Sequence, residues 1–253
     1  MHIDISTEEF LFNGQAYYLP SLSIDNVIFG FHENELKVLL LQLQTNQKWE
    51  LPGGFIYKDE EIEDAAARIL TARTGLNDLF LQQFYVFGST QRTRKELLVE
   101  AMNQITDQSW LMNRFVSIGY YALVDYEKVK PLLNETAFVY AWHDLTKIPA
   151  LFFDHRQIIE KALQTMRVQL NHLPIGYNLL PEEFTLKSLQ TIYETILGRK
   201  LDRSNFSRKI LGYGILEKKE KHYGGGAHKA PFLYSFNKEA YFKALQTGLN
   251  KDF

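Results

Sequence analysis

From Gly53 to Leu76 the chain reads GGFIYKDEEIEDAAARILTARTGL, a run of carboxylates leading into a helix-like segment that ends at Gly75. Such a run raises the question of a divalent cation, because hard cations are bound by oxygen and, once bound, neutralise phosphate oxygens and activate water. A helix offers three ligands to one ion at positions i, i+3 and i+4, which share a face. Ahead of the closing glycine the triplet with that spacing is Ile69, Ala72 and Arg73, which holds no carboxylate. Glu60, Glu61, Glu63 and Asp64 lie upstream, where acidic side chains also serve the positive end of the helix dipole. No metal is expected at this face. Glu60 and Arg68 read instead as an ion pair.

A second stretch with chemical content is LDRSNFSRKI, Leu201 to Ile210. Asp202 suits an N-cap, and Phe206 and Ile210, spaced i and i+4, would face a core. Arg203, Ser204, Asn205, Ser207, Arg208 and Lys209 would then face outward. Arginine reads guanine edges, asparagine reads adenine, and serine or lysine holds phosphates, the equipment of a helix in a major groove. Lys218, Lys219, Lys221, His222, His228 and Lys229 follow around a triple glycine, Gly224 to Gly226, and read as a basic hairpin that grips a nucleic-acid backbone or minor groove. A phosphate loop would require a following helix and a Lys-Ser/Thr pair, which are missing.

The chain of 253 residues is 45% hydrophobic and 14% aromatic, enough to bury one large core or two small ones. It has no cysteine, which excludes disulfides, thiol catalysis and Cys-based zinc sites. The seven histidines, His2, His32, His143, His155, His172, His222 and His228, form no pair at metal spacing, and no Ser-His-Asp relay is evident. No window approaches a membrane-spanning length and the first residues are acidic, so a cytoplasmic location is expected. Net charge is −2, yet residues 1–181 carry 15 Lys+Arg against 22 Asp+Glu while residues 182–253 carry 13 against 8. A basic module attached to an acidic domain fits this split, as does a solvated basic surface.

The elements that must position these groups fall into two sets. Leu22–Phe31 and Leu36–Leu43 read as strands around the turn HENE, with further strands at Phe80–Ser89, Arg114–Val124 and Ala137–Leu145. Helices are expected over Glu60–Thr74 and Asp154–Leu170, giving an α+β layered domain. Two prolines between His172 and Leu186 mark a boundary, which divides the chain into residues 1–172 and 173–253. Beyond it, Leu186, Leu189, Ile192, Tyr193, Ile196 and Leu197 have helical spacing before a capping Gly198. A short helix and a two-stranded hairpin follow, the order of a winged helix-turn-helix.

Gly54, Glu60, Arg68, Leu70, Gly75 and Leu76 fall without a gap at the positions of a Nudix box: glycine, five residues, Glu, seven residues, Arg-Glu, an aliphatic residue, any residue, Glu-Glu, any residue, Gly, aliphatic residue. Ile69, Ala72 and Arg73 stand where the three metal-binding glutamates belong, a change from three negative charges to one positive. Together with WELPGGF, RFVSIGYYALV, WHDLTKIPALFFDH, the run from PIGYNLL to SRKIL and the terminal APFLYSF, the chain resembles the Nudix-related transcriptional regulators over almost its whole length. Thr93–Met112 departs from them as an insertion near the sensor pocket.

The resemblance implies a Nudix-like mixed-sheet α/β/α sandwich followed by a winged helix-turn-helix domain. It implies a regulator of the repressor type, homodimeric, whose partners are a double-stranded DNA operator and a small effector, an ADP-ribose-like nucleotide or a sugar, with no catalysis and no cofactor. Gly54, Glu60, Arg68 and Gly75 would be the structural remnant of the box. Arg73, Arg92, Arg94 and Arg114 are candidates for an anionic effector, with a solvent position the alternative for Arg73. Trp49, Tyr120 and Tyr121 are candidates for stacking on a base or sugar, or for core packing. Asp154 and His155 match the family's FDH, His155 as effector contact or helix-start residue. The rival is a Mg²⁺-dependent Nudix pyrophosphohydrolase with relocated ligands.

Overall fold

The computed structural model describes residues 5–42, 48–76, 81–92, 99, 105–129, 139–221 and 230–249. Contacts divide the chain into two compact units, Met1–Gly30 with Lys37–Ala162, and Phe31–Leu36 with Leu163–Phe253.

The first unit is built on a mixed sheet. Its strands are β1 (Leu22–His32), β2 (Glu35–Gln42), β3 (Trp49–Glu50), β4 (Gly53–Gly54), β5 (Leu81–Phe87), β6 (Val116–Asp125) and β7 (Val139–Asp144), ordered β3-β2-β1-β6-β5 with β4 on β1 and β7 on β2. Glu33 and Asn34 both take positive φ, 50° and 64°, which gives the tight turn between β1 and β2 the twist a hairpin requires. Strand alternation sends Ile24 and Ile28 of β1 and Ile118, Tyr120, Ala122 and Val124 of β6 to one face. Ala65, Ala66, Ile69 and Leu70 of α2 (Ile62–Thr74) pack on them. The opposite face is buried too, through Val27, Phe29, Leu40, Tyr121 and Leu123, as are Ile158, Ile159 and Ala162 of α3 (His155–Gln169).

An N-terminal helix α1 (Thr7–Asn13), not evident in the sequence, docks through its backbone carbonyls: Trp110 Nε1 donates to Phe10 O at 2.7 Å and Ser109 Oγ to Leu11 O at 2.6 Å. Phe10, Tyr18, Phe55, Trp110 and Phe115 form an aromatic cluster there. The described part of the 93–112 stretch is therefore a packed support for α1. Gly14 has no alternative, since a Cβ would lie 2.4 Å from the Trp110 ring nitrogen.

The second unit contains β8 (Phe184–Thr185), α4 (Leu186–Leu197), α5 (Arg203–Gly212), β9 (Leu216–Lys221), β10 (Phe232–Phe236) and α6 (Lys238–Thr247), with a sheet ordered β8-β10-β9. Thr185 caps α4 by accepting from Ser188 N at 3.1 Å, and Gly198 closes it at φ +67°. Leu189, Ile192, Tyr193 and Ile196 are buried, and the Tyr193 ring meets Phe206 of α5 edge-on at 5.3 Å. Helix α6, also not evident in the sequence, closes the core with Tyr241, whose hydroxyl donates to Pro174 O at 3.0 Å. Among the described residues no helix is long and apolar enough to cross a membrane.

Candidate effector site and nucleic-acid interface

On α2 the box keeps its frame. Arg68 donates twice to Glu60, Nε to Oε1 at 2.6 Å and Nη2 to Oε2 at 2.7 Å, and its Nη2 also donates to Phe55 O at 2.9 Å. Glu60 Oε2 accepts from Tyr57 N at 3.1 Å, and the guanidinium lies over the Tyr57 ring at 4.3 Å. Loop and helix are thus tied by one bidentate pair. Burial works against the Glu60 charge, but Arg68 and the Tyr57 amide hold its carboxyl below the usual range. Gly75 ends the helix at φ 71°, donating to Thr71 O at 2.8 Å.

The face that would carry metal ligands is different in character. Ile69 is buried at 4% exposure in the core under the sheet, and a Cβ on Gly54 would meet its side chain at 3.0 Å. Ala72 is exposed. Arg73 is half-buried and interacts electrostatically with Glu50 of β3, so its environment is a carboxylate neighbour rather than open solvent. Burial pushes the Glu50 carboxyl up to about 7, against the pull of Arg73 and with the help of Asp25. Among the described residues no group of three His, Asp or Glu side chains is placed to hold a metal ion.

Arg92 and His155 come together in a buried polar network. Arg92, 7% exposed, reaches Asp25 Oδ2 of β1 at 2.5 Å and Asp154 Oδ1 at 3.0 Å. Ser117 Oγ of β6 donates to Asp25 Oδ2 at 2.6 Å. His155 accepts at Nδ1 from Leu51 N at 3.0 Å, so its proton sits on Nε2, 3.7 Å from Asp25 Oδ1. Burial lowers the His155 pKa, and a second proton would also displace the Leu51 bond. Burial alone would raise Asp25, but His155, Arg92 and Ser117 hold it below the usual range, while burial raises Asp154. The network closes around a backbone approach: a Cβ on Gly53 would lie 2.9 Å from Asp25 Oδ1.

The other expected effector residues are dispersed. Trp49 is half-buried, with its ring edge-on to His143 at 4.4 Å. Tyr120 is buried in the core under α2, its hydroxyl 3.4 Å from Gln83 Oε1. Tyr121 is buried as well. Arg114 donates to Gly88 O. Arg94 lies outside the described residues. Asp25, Glu50 and Ser117 were not anticipated, although a charged residue within the apolar strand LSIDNVIFGF was a visible signal.

In the second unit, Asp202 accepts from Asn205 N at 2.8 Å and opens α5. Phe206 and Ile210 are buried, Arg203, Ser204, Asn205, Arg208 and Lys209 are exposed, and Ser207 is half-buried. Arg208 Nη2 donates to Asn205 Oδ1 at 2.8 Å, so two candidate base readers are held together. The turn before α5 is fixed by Glu194, which accepts from Lys200 Nζ at 2.8 Å, Leu201 N at 2.9 Å and Gln190 Nε2 at 2.9 Å. Lys200 chiefly, then those donors, lowers its carboxyl to about 2. On β9, Lys219 pairs with Glu217 at 3.2 Å. His222, His228, Lys229 and Gly224 to Gly226 lie outside the described residues.

Residues 21–164, more than half of the chain, match the model of the NUDIX domain. The chain belongs to the Nudix family. Beyond that domain, residues 176–236 of this Nudix protein match the NrtR DNA-binding winged helix domain. It is 26% identical over 251 residues to the "ADPR responsive transcriptional repressor NtrR" of Acinetobacter baylyi, covering 95% of this chain and 93% of that one. The crystal structure of Shewanella oneidensis NrtR complexed with a 27mer DNA superposes with a TM-score of 0.68 at 26% identity, covering 87% of this chain and 95% of that chain. The Nudix part is also 25% identical over 153 residues to an ADP-ribose pyrophosphatase of Methanocaldococcus jannaschii, covering 59% of this chain and 77% of that one.

Proposed function

We propose that this Nudix protein is a cytoplasmic transcriptional repressor whose Nudix part, within residues 1–172, recognises a small effector without hydrolysing it, and whose residues 173–253 bind operator DNA. The observation that carries the reading is the pairing of an exposed Arg203–Lys209 face on α5 with a box helix whose metal positions are a core isoleucine, an alanine and an arginine. A divalent cation finds no oxygen ligands at those positions. The similarity to the A. baylyi repressor over 95% of the chain supports the same division of labour and favours an ADP-ribose-like nucleotide as effector. Arg73, half-buried beside Glu50, supplies charge for its phosphates, while Arg92 is committed to Asp25 and Asp154. A neutral sugar is the second reading, favoured by the excess of carboxylates over guanidinium groups among Asp25, Glu50, Asp154, Arg73 and Arg92.

The protein acts as a homodimer reading two half-sites through a two-fold axis, and the effector binds one conformation of that dimer in preference to the other. Mobility shifts with the DNA upstream of its own gene and neighbouring genes test the reading. A specific complex at moderate salt, released by ADP-ribose or a pentose, is expected. Mg²⁺-dependent release of AMP or phosphate from ADP-ribose, abolished by Glu60→Gln and unaccompanied by specific DNA binding, would overturn it.

A further inference from the structure

Strand β9 reads Leu-Glu-Lys-Lys-Glu-Lys from Leu216 to Lys221. In a regular strand Lys218 and Lys221, three apart, would point to opposite faces. Here Phe232 is paired with Lys221 and Tyr234 with Lys218, so three steps on β9 answer two on β10. The extra residue is a β-bulge, and it returns Lys221 to the side that Lys218 occupies. Both ammonium groups lie over the ring of Phe232, Lys218 Nζ at 3.6 Å from its centroid and Lys221 Nζ at 5.1 Å. The ring is 37% exposed, large for a phenylalanine. Lys219 is diverted to Glu217, which also accepts from Asn237 Nδ2 at 3.0 Å. Among the described residues neither Lys218 nor Lys221 is ion-paired with a carboxylate.

Two ammonium groups gathered on one ring repel each other, and the negative face of the ring offsets only part of that repulsion. An anion placed against both completes the arrangement. We propose that Lys218 and Lys221 form a two-point grip on the phosphodiester backbone of duplex DNA, with Phe232 as the positioning residue that orders both side chains before DNA arrives. The inference rests on the DNA-binding reading above and adds to it which wing lysines act and what aligns them. Lys219 is outside the grip. Pre-ordering removes rotamer freedom that each lysine would otherwise lose on binding. A phosphate grip carries no sequence information, so it strengthens operator and unrelated duplexes alike.

The test uses the full chain, a duplex containing the operator and a scrambled duplex of equal length, with fluorescence anisotropy across a series of salt concentrations. Replacing both lysines, Lys218→Gln with Lys221→Gln, should weaken both duplexes by the same factor and reduce the slope of log affinity against log salt by roughly 2, about one for each phosphate no longer neutralised. Phe232→Leu should lower that slope in the same direction, and Phe232→Tyr should restore it. Phe232→Tyr and the lysine variants decide the matter even if Phe232→Leu does not fold. An unchanged salt slope in the double lysine variant, or a loss confined to the operator duplex, would overturn the grip while leaving the DNA-binding reading intact. A wild-type chain that binds neither duplex, or that binds only an acidic polypeptide, would overturn both.

Discussion

Glu60 joins Arg68 through two hydrogen bonds, so Glu60→Gln removes the negative charge, keeps one accepting oxygen and turns an NH2 donor toward the half-buried guanidinium, which is left short of its partner. Loss of stability of about 2 kcal/mol is expected, read from urea unfolding midpoints at neutral pH. Because the folded-state carboxyl is held low, that contribution is complete above the unfolded carboxylate range and fades as pH falls below it. Glu50 behaves in the opposite sense. The folded chain keeps its proton until about pH 7, whereas the unfolded chain releases it near 4.5, so stability declines as pH rises through that window. Glu50→Gln should therefore gain on wild type between pH 5 and pH 8, by about 2 kcal/mol, in paired unfolding titrations. A gain that is flat with pH would place the Glu50 charge in ordinary solvent.

On helix α5 two of the candidate base readers, Asn205 and Arg208, are coupled rather than independent side chains. Arg203→Ala and Arg208→Ala should each cost about 1–3 kcal/mol of specific operator binding where they read a base. Since Arg208 donates to Asn205, the Asn205→Ala and Arg208→Ala losses should fall short of adding, which a double-mutant cycle on operator affinity measures. Glu194→Gln acts one step back: it removes the charge and the oxygen that accepts from Lys200, leaving one amide oxygen for Leu201 and Gln190, so it should lower both melting temperature and operator affinity while leaving effector affinity unchanged. Elements such as α2, α4 and α5 were legible because apolar spacing and capping residues act locally: Gly75, Gly198 and Asp202 stand where the helices end or begin. Helix α1 is seven residues long and held by Trp110 and Ser109, nearly a hundred positions away, which no local pattern announces. The same is true of the polar network, whose members Asp25, Arg92, Ser117 and His155 are assembled by the sheet. The types of Arg92 and His155 suggested a site, but their satisfaction by Asp25, to which Ser117 donates, depended on strand register and on the close approach at Gly53.

At the scale of the molecule, the proposed function requires effector and operator to oppose each other through the conformation each prefers. If ADP-ribose weakens operator binding by some factor, operator must weaken ADP-ribose binding by the same factor, and calorimetry with and without the duplex checks that equality. The effector alone should raise the thermal stability of the full chain, by about 2.7 kcal/mol at a hundredfold excess over its dissociation constant. The packing of Ile69 against Gly54 also limits what the box helix can accept. Position 69 belongs to the core, so a ligand there would have to be introduced against the packing. A glutamate at position 69 would enter an apolar cluster without a partner, at a cost of several kcal/mol against a total stability of about 5–15 kcal/mol. Restoring a carboxylate at that position would therefore cost the fold before it supplied a ligand, and the box helix is held to its packing role by the core it fills.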